Sequence, residues 1–344
     1  MHIPENYLSP ATCAVMGAAM VPVWVHAVKK VNHDLPKEKM PYLGVGAAFS
    51  FLGMMFNVPL PGGTTGHAVG GTLIAILFGP DAACIAVSIA LLLQAVIFGD
   101  GGILSFGANC FNMAFVLPYA GYGIYKLILK AAGTRHKGAG YVSAAIASYI
   151  GINLAALCAA IEFGIQPLLF KDSAGNALYC PYGLSVSIPA MMIPHLLVAG
   201  VVEAVFTAAV FAFVKKTSPD LLFDSSNVQT ETKRHLPVFA LLAALIAATP
   251  LGLLASGTAW GEWGADEIAS IATNGKALGY VPEGLKNGWT LSALISDYAI
   301  DGMNEIAAYI LSAIIGVALL IIIFKLLSLA RKGKYAAGLD ERRG

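Results

Sequence analysis

The stretch that decides the fold is residues 304–327, NEIAAYILSAIIGVALLIIIFKLL, in which the only charged side chains are Glu305 and Lys325, near its two ends. The hydrocarbon core of a bilayer is about 30 Å thick, and a helix of about 20 apolar residues crosses it. A run of this length and composition therefore predicts a transmembrane helix.

Further apolar runs, or pairs of shorter ones, occur along the whole chain and bring the predicted number of helices to about nine. The nine runs are residues 8–28, 41–57, 67–78, 82–98, 106–130, 139–165, 187–214, 237–256 and 304–327. Only 12% of the 344 residues are charged, whereas an average soluble domain has about 25%. We therefore expect an all-α, multi-pass membrane protein whose helices contact the lipid bilayer.

The overall charge and the cysteines exclude two other classes of protein. A net charge of +1 provides no basic surface for phosphates, so nucleic-acid binding is disfavoured. The five cysteines are few and odd in number, which excludes a secreted domain held together by disulfides. An intramembrane zinc protease would need a motif such as H-E-x-x-H, which does not occur.

The basic residues predict the orientation, because loops on the cytoplasmic side of a membrane are enriched in Lys and Arg. With the N-terminus outside and the C-terminus inside, seventeen basic residues fall in inner loops and three in outer loops. The inner residues are Lys29, Lys30, Lys37, Lys39, Lys130, Arg135, Lys137, Lys215, Lys216, Lys233, Arg234, Lys325, Arg331, Lys332, Lys334, Arg342 and Arg343, and the outer ones are Lys171, Lys276 and Lys286. The start Met1-His2-Ile3-Pro4 has no features of a cleaved signal peptide, so we expect the chain to keep Met1 and to export its amine.

A segment rich in glycine and proline, Pro59–Gly71, precedes the shortest apolar run. The run 67–78 extends about 18 Å as a helix, which is too short to cross the membrane. The preceding segment is therefore expected to dip into the membrane region, where irregular backbone is tolerated only within protein or along a cavity. This places His67 at the floor of a pocket that opens outward.

The N-terminus offers unusual metal ligands for such a pocket. The Met1 amine, the deprotonated amide nitrogen of His2 and the His2 Nδ1 atom form fused chelate rings, and a nitrogen of His67 would complete a square. Square-planar nitrogen ligation is typical of Cu(II) or Ni(II), with Co(II) also possible. The alternative is that the Met-His start is accidental and that His67 only caps a helix. The other histidines are expected to be surface or packing residues: His26, His33, His136, His195 and His235.

Three stretches resemble the CbiM/NikM family, the substrate-specific membrane subunits of energy-coupling-factor (ECF) transporters for cobalt and nickel. These are MHIPENYLSP (1–10), GGTTGHAVGG (62–71) and FGDGG followed by GANCFNM (98–113). The resemblance implies that the N-terminal segment inserts into the pocket and that Met1, His2 and His67 bind the metal. It also suggests that Thr65, Gly66, Asn109 and Asn112 support the pocket. Glu5-Asn6 stands where Asp-Gly is common, a departure in the turn after the ligands.

The C-terminal part resembles the small accessory subunit of the same transporters, fused onto one chain. The motif P-E-G-L-K at 282–286 is similar to P-D-G-L-E, with the charge reversed at Lys286. We therefore predict a metal-binding unit at 1–216, a cytoplasmic linker at 217–235, an accessory region with two helices at 236–330 and a cytoplasmic tail at 331–344. The outer loop of the accessory region is residues 257–303.

The chain contains no G-x-x-x-x-G-K-[ST] motif for binding nucleotide phosphates. We therefore expect a transport subunit and not an enzyme, with no resident cofactor. The resemblance implies that a transmembrane coupling subunit and ATPase subunits are separate chains in the plasma membrane of a prokaryote. The cargo is nickel or cobalt, with nickel favoured by the nitrogen-only ligands and by the fusion. A secondary cation transporter that uses Glu162 and Glu203 is the alternative.

Overall fold

The structure, a computed structural model, describes residues 1–60, 64–133, 138–223, 236–255, 257–273 and 276–340. Helices dominate these residues, which confirms the predicted all-α class. The strands within them are short and form two antiparallel hairpins. In one hairpin β1 (Val58–Leu60) pairs with β2 (Thr64–Gly66), and in the other β3 (Ala272–Thr273) pairs with β4 (Lys276–Ala277).

The α-helices follow the predicted apolar runs closely. They are α1 (Pro10–Asp34), α2 (Met40–Met55), α3 (Gly71–Phe78), α4 (Pro80–Leu93), α5 (Phe106–Asn109), α6 (Leu117–Ala132), α7 (Ala139–Leu169), α8 (Leu184–Pro194), α9 (Gly200–Thr217), α10 (Leu236–Ala248), α11 (Glu283–Asn287) and α12 (Glu305–Asp340). Wider π-helical turns continue α4, α5 and α8; they are Gln94–Phe98, Cys110–Val116 and His195–Ala199. Such turns are frequent at functional sites.

Six helical stretches among the described residues are long and apolar enough to cross a membrane. They are Pro10–Asp34, Pro80–Phe98, Ala139–Leu169, Leu184–Thr217, Leu236–Leu254 and Glu305–Ala330. Helix α3 has only eight residues, which agrees with the prediction that the run after the glycine-rich segment is too short to span. The total of nine helices, which also counts shorter segments, stays a prediction.

Helix α2 is buried along nearly its whole length, and α12 of the C-terminal part packs directly against it. The two backbones come close at Gly44, where a Cβ atom would lie 2.8 Å from the Cβ of Phe324. Gly316 of α12 has the same close relation to the ring of Phe51. Small residues allow such close approach of helices in a membrane. The C-terminal part is therefore packed onto the helix that leads into the His67 segment.

The predicted orientation can be tested by labelling single cysteines in a background without native cysteines. Ser270 is exposed in the C-terminal part, and Ser225 lies in the predicted inner linker, outside the described residues. We expect an impermeant thiol reagent added to intact cells to label Ser270→Cys and to leave Ser225→Cys unlabelled until the membrane is permeabilised. Labelling of Ser225→Cys from the outside would overturn the predicted topology.

Candidate metal-binding site

The first nine residues do not form a free tail but insert into the protein. Ile3 is held on both sides by Asn109, whose Oδ1 accepts a 2.7 Å hydrogen bond from the Ile3 nitrogen and whose Nδ2 donates to the Ile3 oxygen at 3.0 Å. The Ile3 oxygen also accepts hydrogen bonds from Ser105 Oγ, at 2.5 Å, and from the Gly102 nitrogen, at 2.9 Å. Because these bonds fix residue 3, they also fix the position of the first two residues.

The glycine-rich turn at residues 99–102 makes room for this inserted segment. A Cβ atom at Gly101 would lie 3.3 Å from Cδ2 of His2 and 3.2 Å from Nδ2 of Asn109. Gly101 also has a φ of +82°, in a region that favours glycine. Asn6 has a left-handed backbone as well, with a φ of +64°, at the position where the family resemblance led us to expect glycine. Asparagine tolerates this conformation, so the departure at residue 6 leaves the turn intact.

His67 follows the β1–β2 hairpin, and a buried carboxyl group holds the backbone just after it. Glu203 of α9 accepts hydrogen bonds from the main-chain nitrogens of Val69, at 2.7 Å, and Gly70, at 3.0 Å. Ser50 of α2 donates to the Val69 oxygen at 2.7 Å. Both oxygens of the Glu203 carboxyl group and the Ser50 hydroxyl are thus engaged with main-chain groups of this segment. The segment after His67 is therefore fixed between α2 and α9.

The inserted N-terminus and the fixed segment bring His2 and His67 together. Their ring centroids are 4.9 Å apart, and the two residues are 3% and 7% exposed. The Nε2 atoms of both rings are buried without a hydrogen-bond partner. Buried polar atoms are rarely left unpaired. Two unpaired ring nitrogens on neighbouring imidazoles therefore indicate a site for a ligand that nitrogen atoms can coordinate.

Two carboxylates face the N-terminal groups. The Met1 amine lies 3.4 Å from Oε1 of Glu262, in the predicted outer loop of the C-terminal part, and His2 Nδ1 lies 3.0 Å from Oδ1 of Asp100. Burial, followed by the nearby N-terminal charge, lowers the pKa of His2 to about 3. The imidazole is therefore neutral at pH 7, and its contact with Asp100 is a hydrogen bond rather than an ion pair. Neutral imidazole is also the form that binds metals.

Side chains alone do not form a metal site around His2 and His67. No group of three or more His, Cys, Asp or Glu side chains is arranged to hold a metal ion among the residues that the structure describes. The main-chain nitrogen of His2 donates no hydrogen bond to any described group. The inserted segment therefore carries an amine, a main-chain nitrogen without a partner among the described residues and the His2 imidazole, and the His67 imidazole lies next to the last of these.

The residues predicted to support the pocket have different positions. Asn109 contacts the N-terminal segment directly, as described above. Gly66 precedes His67, and a Cβ atom there would lie 2.6 Å from Cδ1 of Leu60. Thr65 is buried in the hairpin opposite Pro59, and Asn112 donates to Oε2 of Glu162 at 2.8 Å. Neither Thr65 nor Asn112 has a hydrogen bond to Met1, His2 or His67 within the described part of the chain.

The remaining histidines lie apart from this site. His195 is buried, and its Nδ1 is 2.7 Å from the Met191 oxygen one helical turn earlier. His26 is 3.5 Å from Asp81 and His33 is 2.5 Å from Asp34, both near predicted inner loops. His136 and His235 lie outside the described residues.

Comparison with known proteins identifies the family of this chain. Residues 2–221 match the family model described as the cobalt uptake substrate-specific transmembrane region, CbiM. Residues 233–332 match the PDGLE domain. The chain therefore belongs to the CbiM family of membrane proteins and carries a PDGLE domain after the CbiM region.

Relatives described as fused proteins match this chain over nearly its whole length. The chain is 51% identical to the "probable fused nickel transport protein LarMN" of Lactiplantibacillus plantarum over 94% of this chain and 97% of the relative. It is 47% identical to the "fused nickel transport protein NikMN" of Rhodobacter capsulatus over 93% of this chain and 95% of the relative. A crystal structure of a transition metal transporter is 54% identical, covers 70% of this chain and 99% of its own, and has a TM-score of 0.59.

Proposed function

We propose that this chain is the substrate-specific membrane subunit of an ATP-driven importer and that it captures Ni(II) or Co(II) as cargo from the outer side of a prokaryotic plasma membrane. The observation that carries the proposal is the insertion of the N-terminus, which buries Met1 and His2 and brings the His2 ring to 4.9 Å from the ring of His67. The naming of the fused relatives as nickel transport proteins supports this cargo.

In the proposed complex four nitrogens bind the metal: the Met1 amine, the His2 amide nitrogen, the His2 imidazole and His67. The amine and the amide each give up a proton on binding, because only the deprotonated nitrogen is a ligand. In the structure Nδ1 of His2 contacts Asp100. A chelate through Nδ1 therefore requires that the imidazole exchange this carboxylate for the metal. The amine must likewise leave Glu262.

The ligand chemistry favours nickel within this class. Four nitrogens in a plane are the arrangement that Ni(II) and Cu(II) prefer, and Cu(II) binds more tightly than Ni(II) in the usual order of affinities. Discrimination against copper must then depend on its availability or on the shape of the pocket. The fused relatives named for nickel point in the same direction.

Calorimetry of the purified chain with Ni(II), Co(II) and Cu(II) tests the proposal. We expect one Ni(II) or Co(II) ion per chain, bound with release of protons to the buffer. The proton release is measured by repeating the titration in buffers of different ionisation enthalpy. A folded chain that binds neither Ni(II) nor Co(II) would overturn the proposed function.

Energy is expected to come from other chains. Because the sequence contains no phosphate-binding loop, we propose that separate ATPase subunits act through a transmembrane coupling subunit. The purified chain should show no ATPase activity and should not accumulate metal in liposomes that contain ATP. The same liposomes with coupling and ATPase subunits added should accumulate it. Uptake driven by ATP with this polypeptide alone would contradict the prediction.

A further inference from the structure

One stretch of the C-terminal part exposes large apolar side chains, whereas the rest of its predicted outer loop exposes mostly polar or small ones. The stretch is 288–296, GWTLSALIS, which contains no charged residue. Its side chains Trp289, Leu291 and Leu294 are 53%, 39% and 78% exposed. Exposed apolar patches mark sites of contact with a protein or a membrane. We call residues 288–296 the apolar segment.

The apolar segment is tied to the end of a membrane helix. The Ile295 nitrogen donates to the Ile97 oxygen at 2.8 Å, and Ile97 is the next-to-last residue of Pro80–Phe98, which is long and apolar enough to cross a membrane. A Cβ atom at Gly99 would lie 3.3 Å from the Cβ of Ala293. The apolar segment therefore lies at the level where this helix leaves the membrane, which is the outer surface in the predicted orientation.

The backbone of the apolar segment limits how deeply it can lie in a bilayer. Residues 288–293 form neither helix nor strand. Irregular backbone exposed to lipid does not occur in the hydrocarbon core, because its polar groups would lack hydrogen-bond partners there. The headgroup region supplies such partners, and tryptophan is enriched at that level. The main chain is therefore expected among the headgroups, with the apolar side chains directed to the acyl chains.

We propose that the apolar segment is a membrane anchor of the C-terminal part, in which Trp289, Leu291 and Leu294 insert into the leaflet next to Ile97. The partner that covers these side chains is the lipid of the surrounding bilayer. The anchor lies beside the inserted N-terminus, because Asn6 Nδ2 donates to the Trp289 oxygen at 3.0 Å. The membrane thus holds the predicted outer loop at the point where this loop contacts the N-terminal segment.

Spin labels on single cysteines test the anchor in the full-length chain, without native cysteines, in lipid vesicles. Leu294→Cys is the test position, and Ser270→Cys, exposed in the same loop, is the matched control. Power-saturation EPR compares collisions of the label with O₂, which concentrates among acyl chains, and with chromium(III) oxalate, which stays in water. We expect O₂ to relax the label at 294 more strongly than chromium oxalate does, and the reverse at 270.

Two results of the EPR experiment would overturn the proposal. Stronger relaxation by chromium oxalate at 294 would place the segment in water. A label at 294 that neither reagent reaches would show that protein covers the segment, for example a second copy of the chain. Neither measurement involves metal, so the outcome is independent of the proposed function.

Tryptophan fluorescence gives a second measurement on the chain with its native cysteines. Trp289→Phe is compared with Trp263→Phe, which removes a ring that packs against Tyr182 and Trp260. In vesicles of lipid brominated near the headgroup, we expect Trp289→Phe to lose a larger share of the quenching by bromine. A loss no larger than that of Trp263→Phe would contradict the anchor. Stronger quenching of Trp289 by lipid brominated near the methyl ends of its chains would contradict the interfacial depth.

Discussion

One alanine added before Met1 is expected to abolish high-affinity Ni(II) binding, although every side chain of the protein remains. The extension converts the amine into a peptide nitrogen, so the chelate loses its first ligand. Met1 is also buried at 5% exposure and His2 at 3%, which leaves little room for another residue. The measurement is calorimetry with Ni(II) on the purified, monodisperse variant.

The control for this variant restores the native N-terminus on the same molecule. The extension is made as a short leader that a protease removes directly before Met1, and the Kd is measured before and after cleavage. Recovery of binding after cleavage would show that the extended protein was correctly folded. Equal Ni(II) affinity before and after cleavage would exclude the amine as a ligand.

Replacement of the two central histidines should have unequal effects. His2→Ala removes the imidazole that anchors the chelate and is expected to abolish specific Ni(II) binding. His67→Ala removes one of four nitrogens and keeps the three-nitrogen chelate. We expect it to raise the Kd at least tenfold, which corresponds to about 1.4 kcal/mol or more.

His195→Ala is the matched control for both substitutions. It also removes a buried imidazole, but one whose Nδ1 is occupied by the Met191 oxygen, and we expect the Kd to change less than twofold. Isothermal titration of the three variants under the same conditions makes the comparison. Loss of binding in His195→Ala together with normal binding in His67→Ala would place the metal site in a different part of the protein.

The helices and the irregular segment before α3 could be predicted because their signals are local. Apolar runs of sufficient length identify membrane helices, and the glycines and prolines of 59–71 exclude a continuous helix there. The π-helical turns at Gln94–Phe98 and His195–Ala199 were not predicted, since a single wider turn leaves no periodic pattern in the sequence. The division of the chain at 216 and 236 stays a prediction.

The partners of the site were harder to predict because they are distant in sequence. Asp100 lies in the quoted motif FGDGG and Glu262 in the loop 257–303, but neither was predicted to contact the N-terminus. Glu203 appeared as a candidate for cation transport, whereas its carboxylate accepts the Val69 and Gly70 nitrogens. Glu262 lies 261 residues from Met1 along the chain. Only the packing of the two parts brings these residues together.

The attachment of the His67 segment has a mechanical consequence. Val69 is bonded to Ser50 on α2 through its oxygen and to Glu203 on α9 through its nitrogen. A change in the separation or tilt of these two helices must therefore either break a buried hydrogen bond, at a cost of about 1–3 kcal/mol, or carry the segment along. His67 lies only two residues before this attachment to both helices and is expected to follow its displacement. A displacement of α9 would therefore be transmitted through Val69 and Gly70 toward His67, while the inserted N-terminus is tied to Asn109 and Ser105 in a different part of the protein.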